Sequence, residues 1–133
     1  MIFVGKRKES KARLNVKNGS GRIFINSKSI ESYFRNKYLE LFVKEPLLLS
    51  NGIGEKYDFY VNVEGGGLIS QAQAVRQAIG RCLVHHHKEL EKIFLEYDRN
   101  LLVFDSRRNE PHHSSGKGAS KRGSRRHKQR SKR

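Results

Sequence analysis

Residues 12–16, Ala-Arg-Leu-Asn-Val, alternate apolar and polar, and Arg22-Ile23-Phe24-Ile25-Asn26 does so less cleanly. A period of two marks a half-buried strand. The polar stretch Lys17-Asn18-Gly19-Ser20-Gly21 separates the two runs, which predicts a hairpin. Ser29 or Ser27 suits the cap of a helix carrying Ile30, Tyr33 and Phe34. A second helical stretch starts at Asn36 and is expected to end near Glu45, because Pro46 disfavours helix in the residue before it. Leu47-Leu48-Leu49 then reads as short and buried, and Asn51-Gly52 as a turn. Alternation returns in 57–63, with Tyr57, Phe59, Val61 and Val63 on one face and Asp58 on the polar one.

Gly65-Gly66-Gly67 leads into the longest helical pattern, roughly Ser70 to His87. Ala72, Val75, Ile79, Cys82 and Leu83 form its apolar stripe, which leaves Arg76 and Arg81 off the core. Gly80 costs about 1 kcal/mol in a helix interior relative to Ala, so a close backbone neighbour is expected there. Leu90, Ile93 and Phe94 continue as an amphipathic helix, and residues 101–104 read as a short closing strand. This order predicts an α+β two-layer sandwich, one sheet with helices on one face, over residues 1–104. An extended, disordered, basic C-terminal tail is expected over 105–133.

Charge is what gives the tail its meaning. Residues 111–133 hold nine Lys or Arg and no Asp or Glu, with almost nothing apolar to bury. Such a segment cannot offset the entropy of ordering itself in water. Fully stretched it would reach roughly 75 Å at about 3.3 Å per residue. The whole chain carries 28 Lys or Arg against 13 Asp or Glu, so the body is also basic, though only moderately. A dense polyanion, nucleic acid, is the partner this distribution calls for; a solubility tail would mix both signs. No apolar run approaches the length of a membrane span, and the four apolar residues at the front do not make a signal peptide. A soluble, cytoplasmic protein is expected. The single Cys82 excludes an intrachain disulfide and reads as core filler.

Catalysis and metal binding find little support. The glycine triplet lacks the Lys-Ser/Thr of a P-loop and the spacing of a dinucleotide site, so it reads as a tight turn that brings backbone near something, such as an RNA phosphate. His85-His86-His87 point about 100° apart on a helix, unlike a tetrahedral site. They read as exposed or RNA-facing polarity. Tyr97-Asp98-Arg99 suits a local ion pair but assembles no nucleophile and base.

The segment from Tyr57 to Leu83 resembles the S-nine family of small-subunit ribosomal proteins. The family's strand, glycine triplet, Gln-Ala, Arg and small-Arg-x-Leu run are matched by Gly65 to Gly67, Gln71-Ala72, Arg76 and Gly80-Arg81-Cys82-Leu83. Gly5-Lys6-Arg7-Lys8 matches its opening, and Glu45-Pro46-Leu47-Leu48-Leu49 recurs before the strand. Leu95-x-Tyr97-Asp98-Arg99, Leu101-Leu102-Val103, Asp105-x-Arg107-Arg108 and Glu110-Pro111 are similar to the archaeal and eukaryotic-cytosolic branch, and the short front end favours an archaeon. One departure stands at the end of the chain: Lys132 occupies the place of the branch's usual aromatic before the terminal Arg133.

The resemblance implies a left-handed crossover in the sandwich and a seat in the head of the small subunit beside neighbouring head proteins. It implies ribosome-bound, non-enzymatic work with no cofactor, no membrane and no small-molecule substrate. Its implied ribosomal-RNA residues are Lys6, Arg7, Lys8, Gly65, Gly66, Gly67, Gln71, Arg76, Arg81, Arg107 and Arg108, then Lys117, Lys121, Arg122, Arg125, Arg126, Lys128 and Arg130 of the tail. Lys132 and Arg133 would reach the anticodon stem-loop of peptidyl-site tRNA. Two other readings are a free-standing RNA- or DNA-binding protein with a disordered basic arm and a phosphate-handling enzyme using the glycine turn.

Overall fold

The computed structural model of the chain describes residues 1–108. They form a five-stranded sheet of order β1-β2-β5-β3-β4, with β1 at Ile2–Arg7, β2 at Ser10–Asn18, β3 at Ile23–Ile25, β4 at Lys28–Ser29 and β5 at Tyr57–Glu64. Four helices accompany it: α1 (Ile30–Phe34), α2 (Lys37–Leu49), α3 (Leu68–His86) and α4 (Leu90–Tyr97). The α+β class is as expected. One sheet face is buried through Phe3, Ala12, Leu14, Ile23, Ile25, Phe59, Val61 and Val63, and α3 packs on its β1, β2 and β5.

The hairpin partner differs from the sequence reading. β2 pairs antiparallel with β1 (Arg7↔Ser10 to Ile2↔Asn15) on one side and with β5 (Lys11↔Glu64 to Asn18↔Tyr57) on the other. β3 lies beyond β5 and runs parallel to it, with Ile23 opposite Phe59 and Ile25 opposite Val61. The polar stretch between β2 and β3 is therefore a crossing over the start of β5. Asp58 directs it, since one carboxylate oxygen accepts from the backbone N–H groups of Ser20 (2.9 Å) and Arg22 (3.0 Å). Asp58 is buried beneath these bonds, not exposed on a polar face.

Two further expectations are corrected. The second helix runs through Pro46 to Leu49, with the proline ring buried, and Leu48 faces solvent. An internal proline costs about 3 kcal/mol through a lost hydrogen bond and a clash, and here its burial beside Val43 works against that cost. The closing strand is absent: Arg99–Leu101 is a 3-10 turn, started by the Asp98 side chain accepting from the Asn100 N–H at 2.8 Å. Gln77 takes the hydrogen bonds an edge strand would have made. Its amide oxygen accepts from the Lys6 N–H (2.9 Å), and its NH2 donates to the carbonyls of Val103 (2.6 Å) and Asn100 (3.4 Å).

Ser29 caps α1, and the stripe from Ala72 to Leu83 is buried as the periodicity predicts. Gly80 lets α3 approach the Leu101 carbonyl, 3.0 Å from where a β-carbon would sit. Cys82 is buried, which pushes its thiol up to about 12, and it fills core.

Candidate nucleic-acid interface

The glycine turn joins β5 to the 19-residue α3. Gly65 and Gly66 take φ +76° and +65°, and a side chain at Gly66 would overlap the Ser10 hydroxyl. That left-handed backbone is why glycine stands there. Ser10 donates to the Gly65 carbonyl at 2.9 Å and bonds the Ser70 hydroxyl at 2.8 Å. Gln71 donates to the same carbonyl (3.1 Å), and its own oxygen accepts from the Tyr33 hydroxyl (2.9 Å). The close neighbour of the turn is thus the β1–β2 hairpin. Gly67 has open space around it, and Leu68 and Ile69 project into solvent.

The arginines of α3 are placed differently from the expectation. Arg76 is 6% exposed. Its Nε meets a Glu45 carboxylate oxygen at 2.5 Å and its Nη1 meets Asp98 at 2.7 Å, while the guanidinium lies over the Phe42 ring. Burial alone would raise the Asp98 carboxyl. The Arg76 hydrogen bond, the Asn100 N–H and the Arg76 charge outweigh it and hold Asp98 below its ordinary value. Arg76 is therefore a clamp among α2, α3 and the end of α4, and it offers no free guanidinium. Arg81 is half-buried, donating to the Val4 carbonyl at 2.9 Å beneath the Phe104 ring. The single-stripe reading failed because α3 is enclosed by the sheet and by α2 and α4, so almost its whole circumference is interior.

The other basic candidates lie nearer the surface. Lys6 and Lys8 are exposed, Lys6 resting over Phe104 at 5.7 Å. Arg7 pairs with Asp105, which also holds Arg107 at 2.7 Å. The side chain of Arg107 is 79% exposed despite that pair, and Arg108 is exposed beside it. The opening Lys6-Arg7-Lys8 and Arg107-Arg108 thus come together at one edge through Asp105. Lys117, Lys121, Arg122, Arg125, Arg126, Lys128, Arg130, Lys132 and Arg133 lie outside the described residues.

Sequence reasoning missed the basic residues on the open side of the sheet. Lys11, Arg13 and Lys17 point outward from β2, the alternation that buries Ala12 and Leu14 having turned them to solvent. Arg22 joins them, pairing with Asp58 at 3.0 Å while its side chain stays 65% exposed. The histidine run does not converge on a metal: His85 meets Phe3 edge-on, His86 stacks on Tyr57, and His87 Nε2 lies 3.2 Å from the Tyr57 hydroxyl. Among the described residues no group of His, Cys, Asp and Glu is placed to hold a metal ion. No helix among them is long and apolar enough to cross a membrane.

The family described as ribosomal protein S9/S16 matches residues 5–133. The chain belongs to that family. Relatives named small ribosomal subunit protein uS9 include one from Methanococcus maripaludis (strain C7), 43% identical over 114 residues that cover 84% of each chain. Another, from Desulfurococcus amylolyticus, is 42% identical over 113 residues, covering 84% of this chain and 80% of its own. A third, from Thermoplasma acidophilum, is 41% identical over 125 residues, covering 90% and 93%. These are archaeal proteins, within the archaeal and eukaryotic-cytosolic branch to which the Phe94–Pro111 segment pointed. The S9/S16 family is structural, not enzymatic, and its members are constituents of the small ribosomal subunit.

Proposed function

We propose that this S9/S16 protein binds small-subunit ribosomal RNA in the head of the subunit through its basic body, and that residues 109–133 run along RNA to the peptidyl-site tRNA. One observation carries the reading. In the body, arginines are largely spent on carboxylates, as at Arg7, Arg13, Arg22, Arg76 and Arg107. In residues 111–133, nine Lys or Arg have no acidic residue in the segment to pair with. Phosphates are the natural counter-charge, and phosphate contacts position a protein on RNA with little base reading. Lys6, Lys8 and Arg108 add exposed cations on the body, and the space around Gly67 is open close to the start of α3. Lys132 and Arg133 act at the tRNA as charge, Arg133 with bidentate geometry that Lys cannot reproduce.

Two measurements test this. In sucrose-gradient sedimentation the protein should travel with small subunits; free or chromatin-bound protein would reject the ribosomal placement. Removing only Lys132 and Arg133 should spare assembly and speed tRNA dissociation from message-programmed subunits. The expected loss is about 1.5–3 kcal/mol for each desolvated charge-assisted bond and less where water remains. Unchanged tRNA affinity at equal occupancy would confine the tail to ribosomal RNA.

A further inference from the structure

Phe24 is the residue that spoils the alternation of its strand, an apolar ring at the one position between Ile23 and Ile25 that must point away from the core. It lies directly opposite Tyr60 of β5, which in turn lies opposite Asn15 of β2. The two rings stack at 5.3 Å with an interplanar angle of 13°, and Tyr60 is 40% exposed. Among the described residues no helix covers this side: Lys11, Arg13, Asn15, Lys17, Tyr60 and Asn62 all stand exposed. Cations flank the pair, with Lys17 Nζ 5.3 Å from the Tyr60 centroid and the Arg22 guanidinium 6.0 Å from that of Phe24.

We propose that this open sheet face is a stacking platform for an unpaired nucleobase of RNA, a second contact surface distinct from the tail and from the Lys6–Arg108 edge. The inference rests on the RNA-binding reading above and adds a site and a mode to it. Aromatic rings on an exposed sheet offer a π-face to any base, and single-stranded RNA is recognised largely through such stacking. Asn15, beside Tyr60 in the same row, carries an amide able to donate to and accept from a base edge. Lys17 is on a flexible stem and can leave the ring for a phosphate when a base arrives, and Arg22, tied to Asp58 through Nη2, keeps its other donors toward solvent for a phosphate on the other side. Charge complementarity favours RNA over an apolar protein partner: Arg22 and Arg13 balance the acidic groups of this face, Asp58 and Glu64, and exposed Lys11 and Lys17 leave it net positive.

The test uses the full chain and a short oligouridylate bearing one 2-aminopurine, whose fluorescence falls when its ring stacks. Binding should quench it. The Tyr60→Leu, Phe24→Leu double variant should lose most of the quenching and bind on the order of tenfold more weakly, with an unchanged salt slope, while Tyr60→Phe should behave as the parent. Ultraviolet cross-linking of the unmodified protein to the oligonucleotide needs no variant, and should mark Tyr60 or Phe24. Salt-dependent binding with no quenching, or quenching indifferent to the double variant, would overturn the platform and leave the RNA-binding reading standing. Cross-links confined to residues 109–133 would overturn it equally. Loss of a neighbouring protein's association in the double variant, with RNA stacking intact, would make this face a protein contact. Absence of any RNA binding would remove both readings.

Discussion

Arg76 holds Glu45 of α2 through Nε and Asp98 through Nη1, and its guanidinium covers Phe42. Removing it would leave two carboxylates partly buried without a counter-charge, the situation in which breaking an ion pair costs most. Arg76→Ala is expected to lower stability by about 3–5 kcal/mol. Arg81→Ala forfeits one bond to a carbonyl and one aromatic contact, and should cost about 1–2 kcal/mol. Urea unfolding midpoints at unchanged slope would measure both. A neutral Arg76→Ala would mean that this guanidinium is free for RNA after all. Acid should reveal the same cluster. Asp98 is held below its ordinary 3.8 in the folded chain, so the stability of its charged form is complete above that value and disappears as pH falls through the lower folded one. Asp58, held down by the Ser20 and Arg22 N–H groups, acts in the same sense. Asp98→Asn should therefore flatten the acid limb of stability without abolishing it, in unfolding curves taken between roughly pH 5 and pH 2.

At the scale of elements, periodicity was a good guide to the face each element turns to the shared core, and it failed on the flanks of α3, which α2 and α4 also cover. β2, β5 and the α3 stripe could be read directly, because each turns a regular series of apolar residues to the same core. β1 escaped notice because Gly5 occupies an inward position beside Phe3, leaving no apolar alternation to see. Glycine is needed there since a β-carbon would run into the Ala74 carbonyl of α3. The partner of β2 could not be read from its flanking turn residues, because a buried carboxylate, Asp58, redirects that stretch. The basic edge was legible from Lys6 to Lys8 and at Arg107-Arg108, whereas the tie between those two segments depends on Asp105 bringing distant sequence together. The contrast between buried and exposed leucine-type positions is a direct check of this arrangement. Ile79→Ala should destabilise by about 2–5 kcal/mol as a core truncation. Leu48→Ala, on the exposed side of α2, should stay within about 0.5 kcal/mol. Equal effects in a denaturant titration would contradict the packing of α2 described above.

For the whole molecule the decisive feature is the uneven distribution of charge. All 13 acidic residues lie in residues 1–110, where several neutralise arginines, and nine basic residues follow with none. A protein organised in this way should bind RNA with a salt dependence set mainly by residues 111–133, since each phosphate neutralised by an unpaired cation releases counterions. If all nine tail cations meet phosphates, log K against log salt should approach a slope of roughly −6 from those contacts by the single-strand coefficient. Deleting residues 111–133 should remove most of that slope and leave a shallow remainder from exposed cations of the body such as Lys8, Lys11 and Lys17. Filter binding or fluorescence anisotropy over a series of salt concentrations would give both slopes. The body's folding should be indifferent to the deletion, because among the described residues the core closes with Leu101 and Leu102 and the last carboxylate tie is at Asp105. Equal slopes with and without the tail would move the electrostatic contact to the body and give the Lys6–Arg108 edge the role assigned to the tail.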